Sequence, residues 1–154
     1  MAVIENKIKE LGLELPAAPA AAGNYLPYRI HGDTLYIAGA ITMANGELTH
    51  TGKVGDVQSV EGGYKAARVC TLNAIAVMKA ALGDLERVDK ILLVSGFVNA
   101  VDGFTQAPAV INGASDLLVE IFGDAGKHAR VAVSTSGLPL DTTVEVQITL
   151  AFKE

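Results

Sequence analysis

Arg130 and Glu145 are the residues of this chain whose types and spacing most readily carry chemistry. They lie on two C-terminal runs joined through Gly137-Leu-Pro139. In residues 143–152, Val144, Val146, Ile148, Leu150 and Phe152 alternate with Glu145, Gln147 and Thr149; in residues 129–135, Val131 and Val133 alternate with Arg130, Ala132 and Ser134. Such alternation is that of half-buried strands. Paired as a simple hairpin, the two runs set 130 opposite 145 on the non-core face, with a bulge near Gly137 as the feature that would shift the register. A guanidinium offers a planar fork suited to a carboxylate, so the pair reads either as a cross-strand ion pair or as the polar end of a site. Spacing alone favours the ion pair, the commoner arrangement in sheets.

Other chemistry-bearing residues point to structure. His31, His50 and His128 stand in turn or loop contexts without metal-ligand spacing, which predicts solvated side chains and no metal. Cys70 sits among apolar neighbours in a helical run and reads as a small core residue. Gly123-Asp-Ala-Gly-Lys127 lacks the Gly-x4-Gly-Lys-Ser/Thr spacing and following helix of a phosphate loop, so it reads as a helix terminus and turn. No Gly-x-Ser-x-Gly elbow, HExxH pair or dinucleotide fingerprint occurs.

The elements that must position Arg130 and Glu145 follow from periodicity. Residues 3–12 place Ile4, Ile8 and Leu11 on one face of a short surface helix, and residues 15–23 form an Ala/Pro linker, so 1–22 is an N-terminal appendage. Residues 25–30 and 34–38 form a hairpin around His31-Gly-Asp33. Residues 40–56, with Asn45-Gly46, Gly52 and Gly55, read as a long turn-rich connection. Apolar residues from 57 to 82 and from 107 to 122 recur at helical spacing, with Gly83 as a C-cap and Pro108 in a first turn. Between the helices, Ile91, Leu93 and Phe97 on one side and Leu92, Val94 and Val98 on the other predict a strand buried on both faces. The two helices can cover one face; the other then needs cover from another subunit. The fold class is α+β, a mixed sheet with two helices packed on one face.

Composition bounds the function. A chain of 154 residues has the size of a single domain, 1–154, and half of its residues are apolar. A net charge of −5 argues against non-specific affinity for nucleic acid or an anionic membrane. One cysteine excludes an intramolecular disulfide and fits a reducing compartment. Charged Glu5, Lys7, Lys9 and Glu10 exclude a secretory signal, no run approaches a membrane span, and the cytoplasm is the default location.

The C-terminal pattern Ala129-Arg-Val-Ala-Val133, Gly137-Leu-Pro139 and Val144-Glu-Val146 resembles the signature of the RidA (YjgF) family, the reactive-intermediate imine deaminases. The likeness extends to Gly23-Asn-Tyr25, Leu35-Tyr-Ile-Ala-Gly39, Val94-Ser-Gly-Phe-Val98, Asp102-Gly-Phe104 and Asn112, and covers about 25–153 in order. The resemblance implies a chorismate-mutase-like α+β fold and a homotrimer with sites at the clefts between subunits. It implies that Arg130 holds a substrate carboxylate and that Glu145 positions the water attacking an imine carbon. Tyr25, Gly39, Asn112 and Ala132 match further residues of that cleft, and no metal or organic cofactor is required.

The implied activity is hydrolysis of reactive 2-enamine/2-imine intermediates, 2-aminoacrylate-like, to 2-oxo acids and ammonia. Its ligand is a 2-imino or 2-oxo acid. Ala38 stands where many deaminase members have serine, and Ala132 where many have cysteine, so the pocket should be more apolar and the subgroup divergent. Two rivals stand beside it. One is a non-catalytic trimeric module that captures small carboxylates; the other is the endoribonuclease label some members carry, which the acidic charge and lack of a basic-aromatic surface disfavour. A chorismate mutase enters only by analogy of fold.

Overall fold

The structure, a computed structural model, describes residues 2–154. The N-terminal helix α1 (Val3–Glu10) turns Ile8 into the core, as its amphipathic spacing predicts. The hairpin of β1 (Tyr28–His31) and β2 (Thr34–Ile37) turns at Gly32, whose φ of 62° suits a residue without Cβ. Within the turn-rich connection, Asn45-Gly46 joins β3 (Met43–Ala44) to β4 (Glu47–Leu48), with both turn residues at positive φ.

Helix α2 (Val60–Leu82) starts where Ser59 Oγ accepts the Gly62 N–H at 2.9 Å and stops at Gly83. After β5 (Val88–Asn99) comes α3 (Ala107–Phe122), begun by Pro108. The two helices pack closely because Gly113 of α3 backs onto the Tyr64 carbonyl, where a Cβ would collide. The chain ends in β6 (Ala129–Thr135) and β7 (Val144–Phe152). Residues 123–126, between α3 and β6, form a short 3-10 turn, as expected of a helix terminus.

The five-stranded sheet has the order β1-β2-β7-β5-β6, with β5 and β6 parallel and the other neighbours antiparallel. This overturns the expected C-terminal hairpin: β6 and β7 both pair with β5, which lies between them. Alternation fixes which side chains share a face but not which strand lies alongside. Buried side chains of α2, α3 and the sheet join in one cluster, including Leu35, Val94, Val98, Ile111, Leu118, Val146 and Ile148.

The other sheet face is uncovered within the chain. It presents Leu93, Val131 and Val133, 40%, 52% and 42% exposed, together with Tyr36. Val131 and Val133 therefore face outward, and Arg130, Ala132 and Ser134 face α3, the reverse of the expected sides. Register shifts in β5 also reassign its first turn of alternation: Ile91 is buried under the helices, while Leu92 and Leu93 are both exposed. No helix among the described residues is long and apolar enough to cross a membrane.

Candidate functional site

Glu145 sits between Val144 and Val146, both fully buried beneath the helices, so its own side chain projects from the uncovered face beside Phe97. There it borders a cavity of about 440 Å³. Gly39 forms its floor: a Cβ at that position would collide with the Glu145 carboxylate. Backbone bonds from Ala40 N to Val146 O at 2.8 Å and from Val146 N to Ala40 O at 2.9 Å hold that floor against β7. Tyr25, Ala38, Ile41, Met43 and Val77 complete much of the wall.

Glu145 has no hydrogen bond or ion pair with the other described residues, although it is half-buried. Burial raises its pKa above the ordinary carboxyl value. No cation of the same chain is paired with it. A carboxylate left unpaired in a cavity and made more basic by desolvation is suited to accepting a proton or a water hydrogen bond.

Asn73, not anticipated from sequence, borders the same cavity from α2. Its amide donates to the carbonyls of Ile41 at 3.0 Å and Met43 at 2.7 Å, pinning the loop that follows Gly39. The loop is also fastened to the approach to β7: Thr42 Oγ bonds Thr142 Oγ at 2.8 Å, and Thr143 Oγ donates to Gly52 O at 3.0 Å. His50, expected to be solvated, is half-buried against Thr49 Oγ at 2.8 Å, and burial with nearby Lys65 lowers its pKa. Cys70 is fully buried with its thiol toward the Val144 carbonyl, and desolvation pushes its pKa well up, as befits an inert core residue.

Arg130 belongs to a different place. Facing α3, its guanidinium donates to Ser115 Oγ at 3.1 Å and to the Pro108 carbonyl at 3.3 Å. Ser115 Oγ in turn bonds His128 Nε2 at 2.9 Å, and His128 Nδ1 bonds the Gly126 carbonyl at 2.6 Å. His128 is therefore a member of a relay that orients the arginine, not a solvated residue. Pro108, Asn112 and Ser115 follow the i, i+4, i+7 spacing of one helical stripe, so Asn112 lies on the stripe that Arg130 grips. Ala132 lies two residues along β6 on the same face.

The six expected site residues thus fall into two groups. Tyr25, Gly39 and Glu145 share the cavity; Arg130, Asn112 and Ala132 share the groove between β6 and α3. Strand β5, between β6 and β7, separates the groups, with Arg130 beside Val94 on the helix face and Glu145 beside Phe97 on the opposite face. Ser115, with His128, was legible only as a polar residue seven positions after Pro108.

A second cavity, about 500 Å³, lies near Lys53, Asp102 and Ser136. Its lysine is already engaged by the Ser136 carbonyl and by Asn99 Oδ1 at 3.4 Å. Among the described residues no cluster of three or more His, Cys, Asp or Glu side chains could hold a metal ion.

The family profile described as "YjgF/chorismate mutase-like, putative endoribonuclease" matches residues 5–151. The chain belongs to the YjgF (RidA) family. Protein TCP17 of Trypanosoma cruzi is 41% identical over 140 residues, covering 90% of this chain and 88% of its own. A solved protein of unknown function from Agrobacterium tumefaciens superposes with a TM-score of 0.93 at 39% identity, over 98% of this chain and 93% of that one. A solved "putative endoribonuclease" from Shewanella oneidensis gives 0.94 at 39% identity, over 97% and 99%. The YjgF/chorismate-mutase-like fold is therefore that of this chain. The two positions expected to depart from the family pattern separate in space: Ala38 lines the Glu145 cavity, and Ala132 lies in the Arg130 groove.

Proposed function

We propose that this chain hydrolyses reactive 2-imino and 2-enamino acids to 2-oxo acids and ammonia without a cofactor, in sites completed between copies of the chain. The observation that carries the reading is the unpartnered, half-buried carboxylate of Glu145 in its cavity. A carboxylate ligand also needs a cation, and Arg130 lies on the opposite sheet face of the same chain. Arg130 of a neighbouring copy would meet that need. The exposed apolar strip of Leu93, Val131 and Val133 supports such an assembly, a homotrimer as in the resemblance, because burying it against a copy would remove apolar area from water.

In this reading the guanidinium of Arg130 holds the substrate carboxylate through its planar fork, with Ser115 and His128 fixing its direction. Glu145 accepts a proton from water as the water oxygen bonds to the imine carbon, and delivers it to the nitrogen as the C=N electron pair moves there. Glu145 then takes the hydroxyl proton of the resulting carbinolamine as the carbonyl forms, and passes it to the nitrogen that departs as ammonia when the C–N bond breaks. No electrons are exchanged with an external acceptor. Holding water and imine together accounts for the rate gain. The lone, buried Cys70 fits a reducing compartment, and we assign the cytoplasm.

One second reading has a specific observation behind it. Alanine at 38 and 132 removes two polar side chains, which suits a module that binds small carboxylates without turnover. The endoribonuclease activity named for the family and for the Shewanella relative is less well supported here, given a net charge of −5. The deciding assay generates the imine with an amino-acid oxidase and follows 2-oxo acid release. Acceleration by the wild type is the expected result; binding of 2-oxo acids in calorimetry with no acceleration would select the module instead.

A further inference from the structure

The segment read from sequence as a linker is part of the Glu145 cavity. Residues 19–22, Pro-Ala-Ala-Ala, line it together with Tyr25. They are tethered on both sides. Upstream, α1 is held by a Glu5–Lys79 ion pair, by the Ile4 N–H on Glu86 Oε2 at 2.8 Å and by buried Ile8, while Leu13 and Leu15 pack on the core. Downstream, the Ala22 N–H donates to the Tyr25 hydroxyl at 3.2 Å.

The chemistry of this strap is uniform. Proline supplies no N–H and a restricted φ, and alanine supplies only a methyl, so the wall is apolar yet leaves volume free. Opposite it stand Ala38, Ile41, Met43 and Val77, and at the mouth Leu140. Leu140 is 71% exposed and held at φ 57°, followed by Asp141 at φ 60°, a backbone state uncommon for such residues. The turn is clamped there, for Asp141 Oδ1 accepts from Asn99 Nδ2 at 2.9 Å and its carbonyl accepts the Gly52 N–H at 2.9 Å. An apolar side chain is thus kept in water at the rim of an apolar cavity, where a ligand of the same character would cover it.

We propose that the strap of residues 19–22, with Leu140 at the mouth, makes the Glu145 cavity selective for 2-imino and 2-oxo acids with large apolar side chains. The selectivity rests on the deaminase reading for its ligand class, and on the strap for its direction. Each methylene buried in such a wall favours binding by about fourfold.

Two measurements on the full chain separate the ideas: calorimetric binding of pyruvate and of 4-methyl-2-oxopentanoate, and turnover of the corresponding imines. The wild type should bind the branched acid at least about tenfold more tightly, three extra carbons being available for burial. Ala21→Phe, which fills the cavity from the strap, should remove most of that preference. Ala21→Ser, nearly equal in size, should lower the preference by a smaller factor through its hydroxyl alone. Equal affinities in the wild type, or a preference unmoved by Ala21→Phe, overturn the proposal. Turnover without preference sinks the selectivity and spares the deaminase reading; preference without turnover does the reverse; no binding of either acid sinks both.

Discussion

The Glu145 cavity and the Arg130 groove carry opposite kinds of polar group. Glu145 is half-buried, apolar-walled and unpaired, and its pKa is raised by burial. Arg130 is held by a hydroxyl and a carbonyl and backed by His128. The first resembles a group waiting for a partner, the second a group aimed at one. Each lacks what the other supplies, and the strand between them prevents one chain from joining them.

The largest expected effect comes from removing the arginine. Arg130→Ala should lower kcat/KM for imine hydrolysis by about 100-fold or more, since two charge-assisted hydrogen bonds to a carboxylate are lost. Arg130→Lys should recover little of it, because an ammonium cannot present the fork. The thermal midpoint should barely move, which circular dichroism would check.

Glu145→Gln should lower kcat by roughly 10²-fold or more while raising thermal stability at neutral pH. The sign follows from the raised folded-state pKa: ionising Glu145 is harder in the fold than in the unfolded chain, so the ionised form costs stability. That cost is absent below the ordinary value of 4.5, where both states carry the proton, grows as pH rises toward the raised folded value, and is constant above it. Melting curves of both forms across this window should converge in acid and separate near neutrality. A glutamine variant less stable at neutral pH would contradict the claim that Glu145 is unpaired.

Val133→Asp places a charge on the uncovered face, 42% exposed in the single chain. Sedimentation should report a fall to the 16.0 kDa of one chain, with imine hydrolysis lost alongside. Retained activity at that mass would break the argument that two copies build the site. The smallest effect is expected from Ser115→Ala, which leaves the guanidinium but removes one of its supports. KM should rise a few-fold to about tenfold with kcat little changed, as for the loss of one neutral hydrogen bond.

Much of this was legible in sequence because periodicity reports which side chains share a face. The 3.6-residue spacing of Val110, Ile111, Ala114, Leu117 and Leu118 marked α3 with its observed ends, and Val144 through Leu150 marked the buried side of β7. Beyond the first hairpin, strand neighbours were not legible. The short Gly137-Leu-Pro139 turn suggested a hairpin, yet both flanking strands found β5, which lies between them. The register shift between Ile91 and Leu93 was hidden as well, since every residue there is apolar and no polar marker records the change of side.

The candidate site divides in the same way. Motif resemblance named Tyr25, Gly39, Asn112, Arg130, Ala132 and Glu145, and their grouping into cavity and groove emerged only with the topology. The strap at 19–22 escaped because Ala and Pro lack the polar atoms that mark a site. Asn73 and His128 escaped because their partners are backbone carbonyls and a serine hydroxyl, which leave no pattern along the chain.

The central claim is that Arg130 and Glu145 act on one substrate from different copies of the chain, and co-expression of Arg130→Ala with Glu145→Gln tests it most directly. Each variant alone should be inactive. In randomly mixed trimers about a quarter of the sites would pair an intact arginine with an intact glutamate, so the mixture should regain about that fraction of wild-type imine hydrolysis. A mixture that assembles yet stays as inactive as its two parents would contradict the account.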